Sequence, residues 1–454
     1  MRVLWICNKM LPRIGDKLNI PTGNKEGWLN TLSDNLIKKC EEDIENGVPK
    51  KDCLVLGVAF PVAKDKSSYH ENVDGLEAYG FYEDTDHPEI YDSKLEDRFR
   101  NIFASFKPDM IHIFGTEFPH TLAATKAFRN PSHTLIGIQG LCSEYALGFK
   151  DGIPEKIVNR YTLRDFLKKD NIELQYQKFV KRGSYERQAI KLAGHIAGRT
   201  DWDYEATRKV NPDSQYHVLH ETLRSTFGTP SGWDYDNCSR HTIFVSQGDY
   251  PIKGLHILLR ALPKVVEEYP DLELRVSGNC ILDINGSPEG VTYKNAKKNL
   301  KKTILISSYG KYLKDLIAEG NLQTRVCFLG SINAEAVKKE LLNAGLYCMP
   351  SIMENSSNAL GEAMLMGVPV VAANTGGTAS MIEPDTEGVL YECLDEVALA
   401  DSIIKVFKAY DNPKESGSAD IRRQVVKAKE HAMRSHDGDK NTSELISLYK
   451  EICE

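Results

Sequence analysis

The chain has 454 residues, 41% of them hydrophobic and 27% charged, and its 57 Lys and Arg against 64 Asp and Glu give a net charge of −7. That length predicts two or three domains. The acidic balance excludes a surface that grips nucleic acid throughout, periodic blocks of Leu, Ile, Val and Phe exclude disorder, and no run approaches the roughly 18 apolar residues of a membrane-spanning helix.

The N-terminal MRVLWICNKMLP carries one Arg before a short apolar run and no small-residue cleavage site, so it reads as a first buried strand and not as an export signal. Strand patterns follow at Cys53–Val58, Met110–Phe114, Thr134–Ile138, His195–Gly198 and Tyr216–His220, after an amphipathic stretch at Trp28–Lys39. The polar, Gly- and Pro-containing stretch Ser225–Arg240 predicts an interdomain connection. Beyond it come strands at Thr242–Ser246, Glu273–Ser277, Arg325–Leu329, Leu346–Met349 and Val368–Ala372. Helical patterns lie at His256–Glu268, Ala334–Asn343, Asn358–Met366 and Thr442–Cys453. Continuous apolar strands alternating with helices imply parallel sheets covered on both faces, the doubly wound α/β class. The expected organisation is an N-terminal Rossmann-like domain over 1–224, a linker over 225–240 and a C-terminal Rossmann-like domain over 241–430. A terminal helix over 431–454 is expected to pack back on the N-terminal domain. Ten dispersed cysteines with no C-x-x-C pair behave as core thiols in a reducing compartment, so a cytoplasmic protein is expected.

Ligands of open α/β sheets bind beyond the carboxyl ends of the strands. The most informative such loop lies in GLYCMPSIMENSSNALGEAMLMGVPVVAANTGG, starting at Gly345. A strand runs into Pro350 and a polar loop, then into a helix stopped by Gly367 and Pro369. Ser356, Ser357 and Asn358 are good N-cap residues, so the backbone N–H groups of this helix start form a site for anions, phosphates above all. Glu354 and Glu362 flank it eight positions apart; in a wholly helical span that is about 12 Å, too far to share one small atom.

This segment closely resembles the signature of retaining family 4 glycosyltransferases, whose two-domain GT-B fold places two Rossmann-like domains across a cleft; the E-x7-E element falls on Glu354 and Glu362. The resemblance implies that Glu354 meets the donor sugar and Glu362 binds the ribose hydroxyls. The loop amides over Asn355, Ser356, Ser357, Asn358, Ala359 and Leu360 would hold the diphosphate. In the second matching loop, VSQGDYPIKG (Val245–Gly254), Lys253 stands at the family's diphosphate-binding Lys and Gln247 at its Arg, with one extra residue between them. Arg199 is the candidate for the missing cation, with an anionic acceptor or a structural ion pair as its other readings. Gly278 with Ser277 and Asn279, and Ser331 with Gly330 and Ile332, would flank the donor base and ribose.

In the N-terminal half, Asn8 follows the first strand, and Gly27 with Trp28 sits at a helix start after a loop expected over Lys9–Glu26. The family has a glycine pair at this place, and Glu26 precedes Gly27 here. Gln139 stands where many members have a His near the reacting sugar; it hydrogen-bonds but cannot titrate near neutrality. The motif Gly198–Asp203 and YHVLHETLR (Tyr216–Arg224) resemble a bacterial polysaccharide-type subset. Between 155 and 191, ten Lys and Arg against five acids are interleaved with aromatic residues, a pattern for an anionic membrane face, a lipid-diphosphate acceptor or a solvated helix surface.

The expectation is therefore retaining transfer of a hexose-type sugar from a nucleotide donor to a hydroxyl of a glycan or lipid-linked acceptor. A UDP-sugar is expected first and a GDP-sugar second, with no separate cofactor, no metal and no nucleic-acid partner. The protein would be cytoplasmic, with peripheral contact at the inner membrane face through 155–191. The four D-x-D strings are too short and too frequent to mark a metal site. A nucleotide-sugar epimerase of similar fold and a non-catalytic scaffold subunit remain as alternatives. A nicotinamide dehydrogenase is set aside, since no G-x-G-x-x-G follows the first strand.

Overall fold

The first apolar run forms β1 (Arg2–Cys7), and its side chains alternate between two buried faces. Val3, Trp5 and Cys7 enter one core with Trp28, Leu29 and Leu445; Leu4 and Ile6 enter the other with Phe99, Ile102 and Ile190. A strand covered on both faces has no polar side to show, which is why it reads as a continuous apolar run. The computed structural model describes residues 1–20, 27–49, 53–66, 69–228, 232–411 and 419–454. Its contacts divide the chain into one unit of Met1–Ala146, Lys178–Ser225 and Ser435–Glu454, and another of Leu147–Gln177 and Thr226–Arg434. Residues 21–26 of the expected loop over Lys9–Glu26, and residues 229–231 of the expected linker, lie outside the described residues.

In the first unit β1 is joined by β2 (Val55–Val62), β3 (His70–Val73), β4 (Leu76–Tyr82), β5 (Met110–Phe114), β6 (Thr134–Gly137), β7 (His195–Gly198) and β8 (Gln215–Val218). The sheet order is β3-β4-β2-β1-β5-β6-β7-β8, parallel except for the β3–β4 hairpin. Continuous apolar runs do not mark this hairpin, because β3 is largely exposed. The available signal was Asp74-Gly75, both at positive φ as a tight hairpin turn requires. The expected loop after β1 also contains a helix, Pro12–Leu18.

The C-terminal helix, Gly438–Cys453, buries Leu445, Leu448, Tyr449 and Ile452 in the core of this first unit. Trp5 Nε1 donates to the Tyr449 oxygen at 2.8 Å, and that phenol meets His112 Nδ1 at 2.6 Å. Burial lowers the His112 pKa to about 3, so the ring is neutral and its Nδ1 accepts the phenol proton.

The second unit holds β9 (Ser239–Val245), β10 (Glu273–Ser277), β11 (Val291–Thr292), β12 (Val326–Gly330), β13 (Ala344–Met349), β14 (Val370–Asn374) and β15 (Val389–Glu392). Their order is β11-β12-β10-β9-β13-β14-β15, with only β11 antiparallel. Two features depart from the sequence expectation. Residues 147–177, placed by chain order in a domain over 1–224, pack with the second unit: Arg260 Nη1 donates to Gly152 O at 2.8 Å, Arg160 pairs with Asp315 at 3.3 Å, and Ser308 N donates to Asp165 at 2.8 Å. The expected linker is also less free than its composition suggests. Phe227 is buried in the second unit's core, Trp233 Nε1 donates to Ala344 O, and the Tyr235 hydroxyl donates to Tyr410 O. Among the described residues no helix is long and apolar enough to cross a membrane.

Candidate active site

Strand order reverses in the second sheet at β9, whose neighbours β10 and β13 continue the chain in opposite directions. Such a switch point opens a crevice beyond the carboxyl ends of the two central strands. The loops after β9 and β13 meet there. Ile352 N donates to Ile252 O at 2.8 Å, and Gly254, at φ 68°, packs so closely that a Cβ would lie 1.7 Å from Pro350 O. Only glycine fits, by conformation and by space. On the other side Gly376, at φ 53°, leaves no room for a Cβ against Glu354 O, and Gly377 N donates to that oxygen at 3.0 Å.

These contacts bring Lys253 and Glu354 together: Nζ donates to Oε2 at 2.7 Å, and the Ser351 hydroxyl donates to the same oxygen at 3.2 Å. Both side chains are largely buried, at 18% and 11% exposure. Burial opposes the lysine's charge most strongly of any one effect, but the facing Glu354 carboxylate together with Tyr250 and Tyr347 outweighs it, and the Lys253 pKa is raised. The sequence expectation assigned Lys253 to the phosphates and Glu354 to the sugar; in this structure the two are each other's partners.

The helix Asn358–Met366 begins beside them. Of the three candidate caps, Ser357 is the N-cap, its Oγ accepting from Leu360 N, while Ser357 N donates to Met381 Sδ. Asn355 is buried in the loop, Asn358 and Ala359 open the helix, and Ser356 precedes the cap. Glu362 sits on the helix's second turn, buried at 4% exposure. Gly367, at φ 72°, ends the helix.

At the position expected for an arginine, Gln247 Nε2 donates to Asp249 Oδ1 at 2.9 Å. Asn279 Nδ2 donates to the other Asp249 oxygen at 3.2 Å, and the Ser331 hydroxyl donates to Asn279 Oδ1 at 3.2 Å. One polar chain thus joins the ends of β9, β10 and β12. Asp249 was overlooked by the sequence reading, although it stands two residues after Gln247 in the quoted loop. Gly278 adopts φ 97° and donates its N–H to Gly330 O.

The first sheet has its own switch point, between β2 and β5 at β1. Asn8 Nδ2 donates to Glu117 Oε2 at 3.0 Å there, and burial raises the Glu117 pKa. A second carboxyl unnoticed in the sequence, Glu186, ties the neighbouring loops together. It accepts from the Thr116 hydroxyl at 2.6 Å, from Cys142 N at 2.8 Å, and from Ser143 N at 2.9 Å and Oγ at 2.5 Å. Gly27 opens the helix Gly27–Glu45 against the Arg224 stem.

Arg199, which the sequence offered to the donor phosphates, to an anionic acceptor or to a structural ion pair, is 4% exposed and pairs with Glu221 at 2.5 Å. Its Nη2 also donates to Ile138 O at 3.1 Å. A guanidinium neutralised and enclosed in this way is the structural ion pair that the sequence left open, and it fixes the end of β6 where Gln139 begins the loop. Gln139 lines a small cavity of about 30 Å³ with Arg199, His112 and Asn441. Among the described residues no cluster of three or more metal-ligating side chains occurs.

Residues 238–422 match the family described as Glycosyl transferases group 1. Among curated proteins, the chain is 24% identical to the phosphatidyl-myo-inositol mannosyltransferase of Mycobacterium leprae over 58% of this chain and 60% of that protein. The chain thus spans less than two thirds of that relative, and 49% of the Mycobacterium tuberculosis counterpart. Among solved structures, sucrose-phosphate synthase from Thermosynechococcus elongatus superposes with a TM-score of 0.65 at 15% identity, over 100% of this chain and 99% of that one. Anabaena HepE in complex with UDP gives 0.60 at 15% identity, over 99% and 100%. The switch-point loops lie inside the matched region, which covers less than half of the chain, and the chain as a whole has the GT-B fold of these solved structures.

Proposed function

We propose that this protein transfers a hexose-type sugar from a nucleotide-diphosphate donor to a hydroxyl of a glycan or lipid-linked acceptor, with retention of configuration. The observation that carries the reading is the Lys253–Glu354 pair at the second sheet's switch point, beside the Ser357-capped helix start. Breaking the bond from anomeric carbon to phosphate builds negative charge on the leaving diphosphate. An ammonium and a helix N-terminus aimed at one crevice are the groups that stabilise such charge. Lys253 would exchange its Glu354 partner for the diphosphate, which would free the carboxylate to accept from sugar hydroxyls. Glu362 would take the ribose, and Asn279 and Ser331 would border the base. The leaving phosphate would receive the acceptor's proton on the same face, so no titrating residue is required at Gln139.

UDP is the favoured nucleotide, in keeping with the UDP complex of the HepE neighbour. The test is a thermal-shift series with UDP, GDP and TDP and their sugars on wild type and Glu362→Ala. UDP should raise the wild-type melting temperature in proportion to saturation and leave the variant unmoved. No shift with any nucleotide, or equal shifts in both proteins, would overturn the reading.

A further inference from the structure

We infer that the second unit carries a docking face for anionic lipid headgroups, built from two short helices with exposed apolar side chains and unpaired lysines. The basic stretch singled out at 155–191 is divided between the two units at 177 and 178. Two cations of its later part are engaged internally, Lys178 pairing with Glu89 and Arg182 Nε donating to Glu117 O, while Lys181, Arg187 and Lys191 are exposed. The earlier part differs. In the helix Leu163–Lys168, Leu163, Phe166 and Leu167 stand at i, i+3 and i+4 and so share one side. All three are exposed, Phe166 at 72%, and Tyr161 just before them is exposed as well.

The opposite side of this helix is fixed. Asp165 is fully buried and accepts from the backbone of Thr162 and Ser308, so the apolar side chains are presented on a rigid mount. A second mount adjoins it. The helix Leu300–Ile304 exposes Leu300, at 76%, and Ile304, while Lys302 between them turns inward to Cys280 O and Ile284 O. Arg164 and Lys302 line one cavity of about 220 Å³, which sets the two helices side by side.

The charges around them are one-sided. Arg164 pairs with Asp170, and Glu173 with Lys150, which removes those acids from the balance. Exposed Lys168, Lys169, Lys297 and Lys301 make no ion pair among the described residues, and Lys156 is offset by its neighbour Glu155. Apolar side chains ringed by free ammonium groups, in a chain of net charge −7, match an anionic bilayer surface. The apolar groups enter the headgroup boundary while the lysines meet the phosphates. This inference holds whether or not the protein transfers sugar.

The experiment is sedimentation of the full chain with vesicles of phosphatidylcholine alone and of phosphatidylcholine mixed equally with phosphatidylglycerol. The protein should pellet with the mixed vesicles only, and less so at high salt, where exposed charges are screened. Lys168→Glu with Lys169→Glu, and separately Phe166→Ser with Leu167→Ser, should each lower the partition coefficient about tenfold or more. The same charge reversal at exposed Lys405 and Lys408 should leave it unchanged. All these side chains are exposed, so unaltered melting temperatures would confirm that the variants fold. Equal pelleting with both vesicle types, or an equal loss from the Lys405 and Lys408 reversal, would overturn the inference. So would light scattering that shows a dimer abolished by Phe166→Ser with Leu167→Ser, since a second copy would then be the occupant.

Discussion

Replacing Glu354 with Gln keeps the side chain's size and removes the charge that faces Lys253. In the wild type the ammonium and carboxylate are 2.7 Å apart, with 18% and 11% of their side chains exposed. Breaking a buried pair by removing one partner costs about 3 kcal/mol, because the remaining charge is left in a poorly solvated place. For a unit of this size that corresponds to a fall in melting temperature of about 6–12 °C. Lys253→Met should cause a loss of the same order, and the double variant should lose less than the sum of the two, because no lone charge remains. The nucleotide response separates the partners. Glu354→Gln frees the ammonium for a diphosphate, a gain of about 1.4 kcal/mol or about tenfold in Kd, whereas Lys253→Met weakens binding. Scanning calorimetry and titration with UDP on the four proteins read both effects. An unchanged melting temperature in Glu354→Gln would refute the buried-pair argument. Weaker UDP binding in that variant, with the fall in melting temperature intact, would refute the partner exchange alone.

Two further outcomes depend on the first unit. Tyr449→Phe removes the acceptor of Trp5 Nε1 and the donor to His112 Nδ1, both buried, and should cost about 2 kcal/mol in urea unfolding; a variant as stable as wild type would show that the network contributes nothing. Burial pushes the Glu186 pKa up from 4.5 to about 7 despite its four donors. A raised folded-state value means that its stabilising contribution is complete below pH 4.5 and is lost as pH rises through 7, by up to about 3 kcal/mol. Wild-type melting temperature should therefore fall across that window more steeply than in Glu186→Gln, and parallel curves would refute the assignment.

The sequence by itself determined the class of fold and the loops that matter. A strand buried on both faces must be largely apolar, as β13 is throughout and as β1 and β5 are apart from Arg2 and His112, and a capped helix start after such a strand is visible as proline, serine and asparagine. These signals are local, set by neighbours within a few residues. The tertiary structure alone decided which charges find each other. Lys253 and Glu354 are 101 positions apart, and their meeting depends on Gly254 and Gly376 letting two loops touch. Arg199 could not be assigned from its own surroundings, because Glu221, which neutralises it, arrives from the far end of β8. Residues 147–177 changed units for the same reason: Asp165 caps a helix that begins at Ser308, a contact no window along the chain contains. Propensity and hydrophobic period act along the backbone, while electrostatic pairing and close approach act through space, and only folding brings the two into one account.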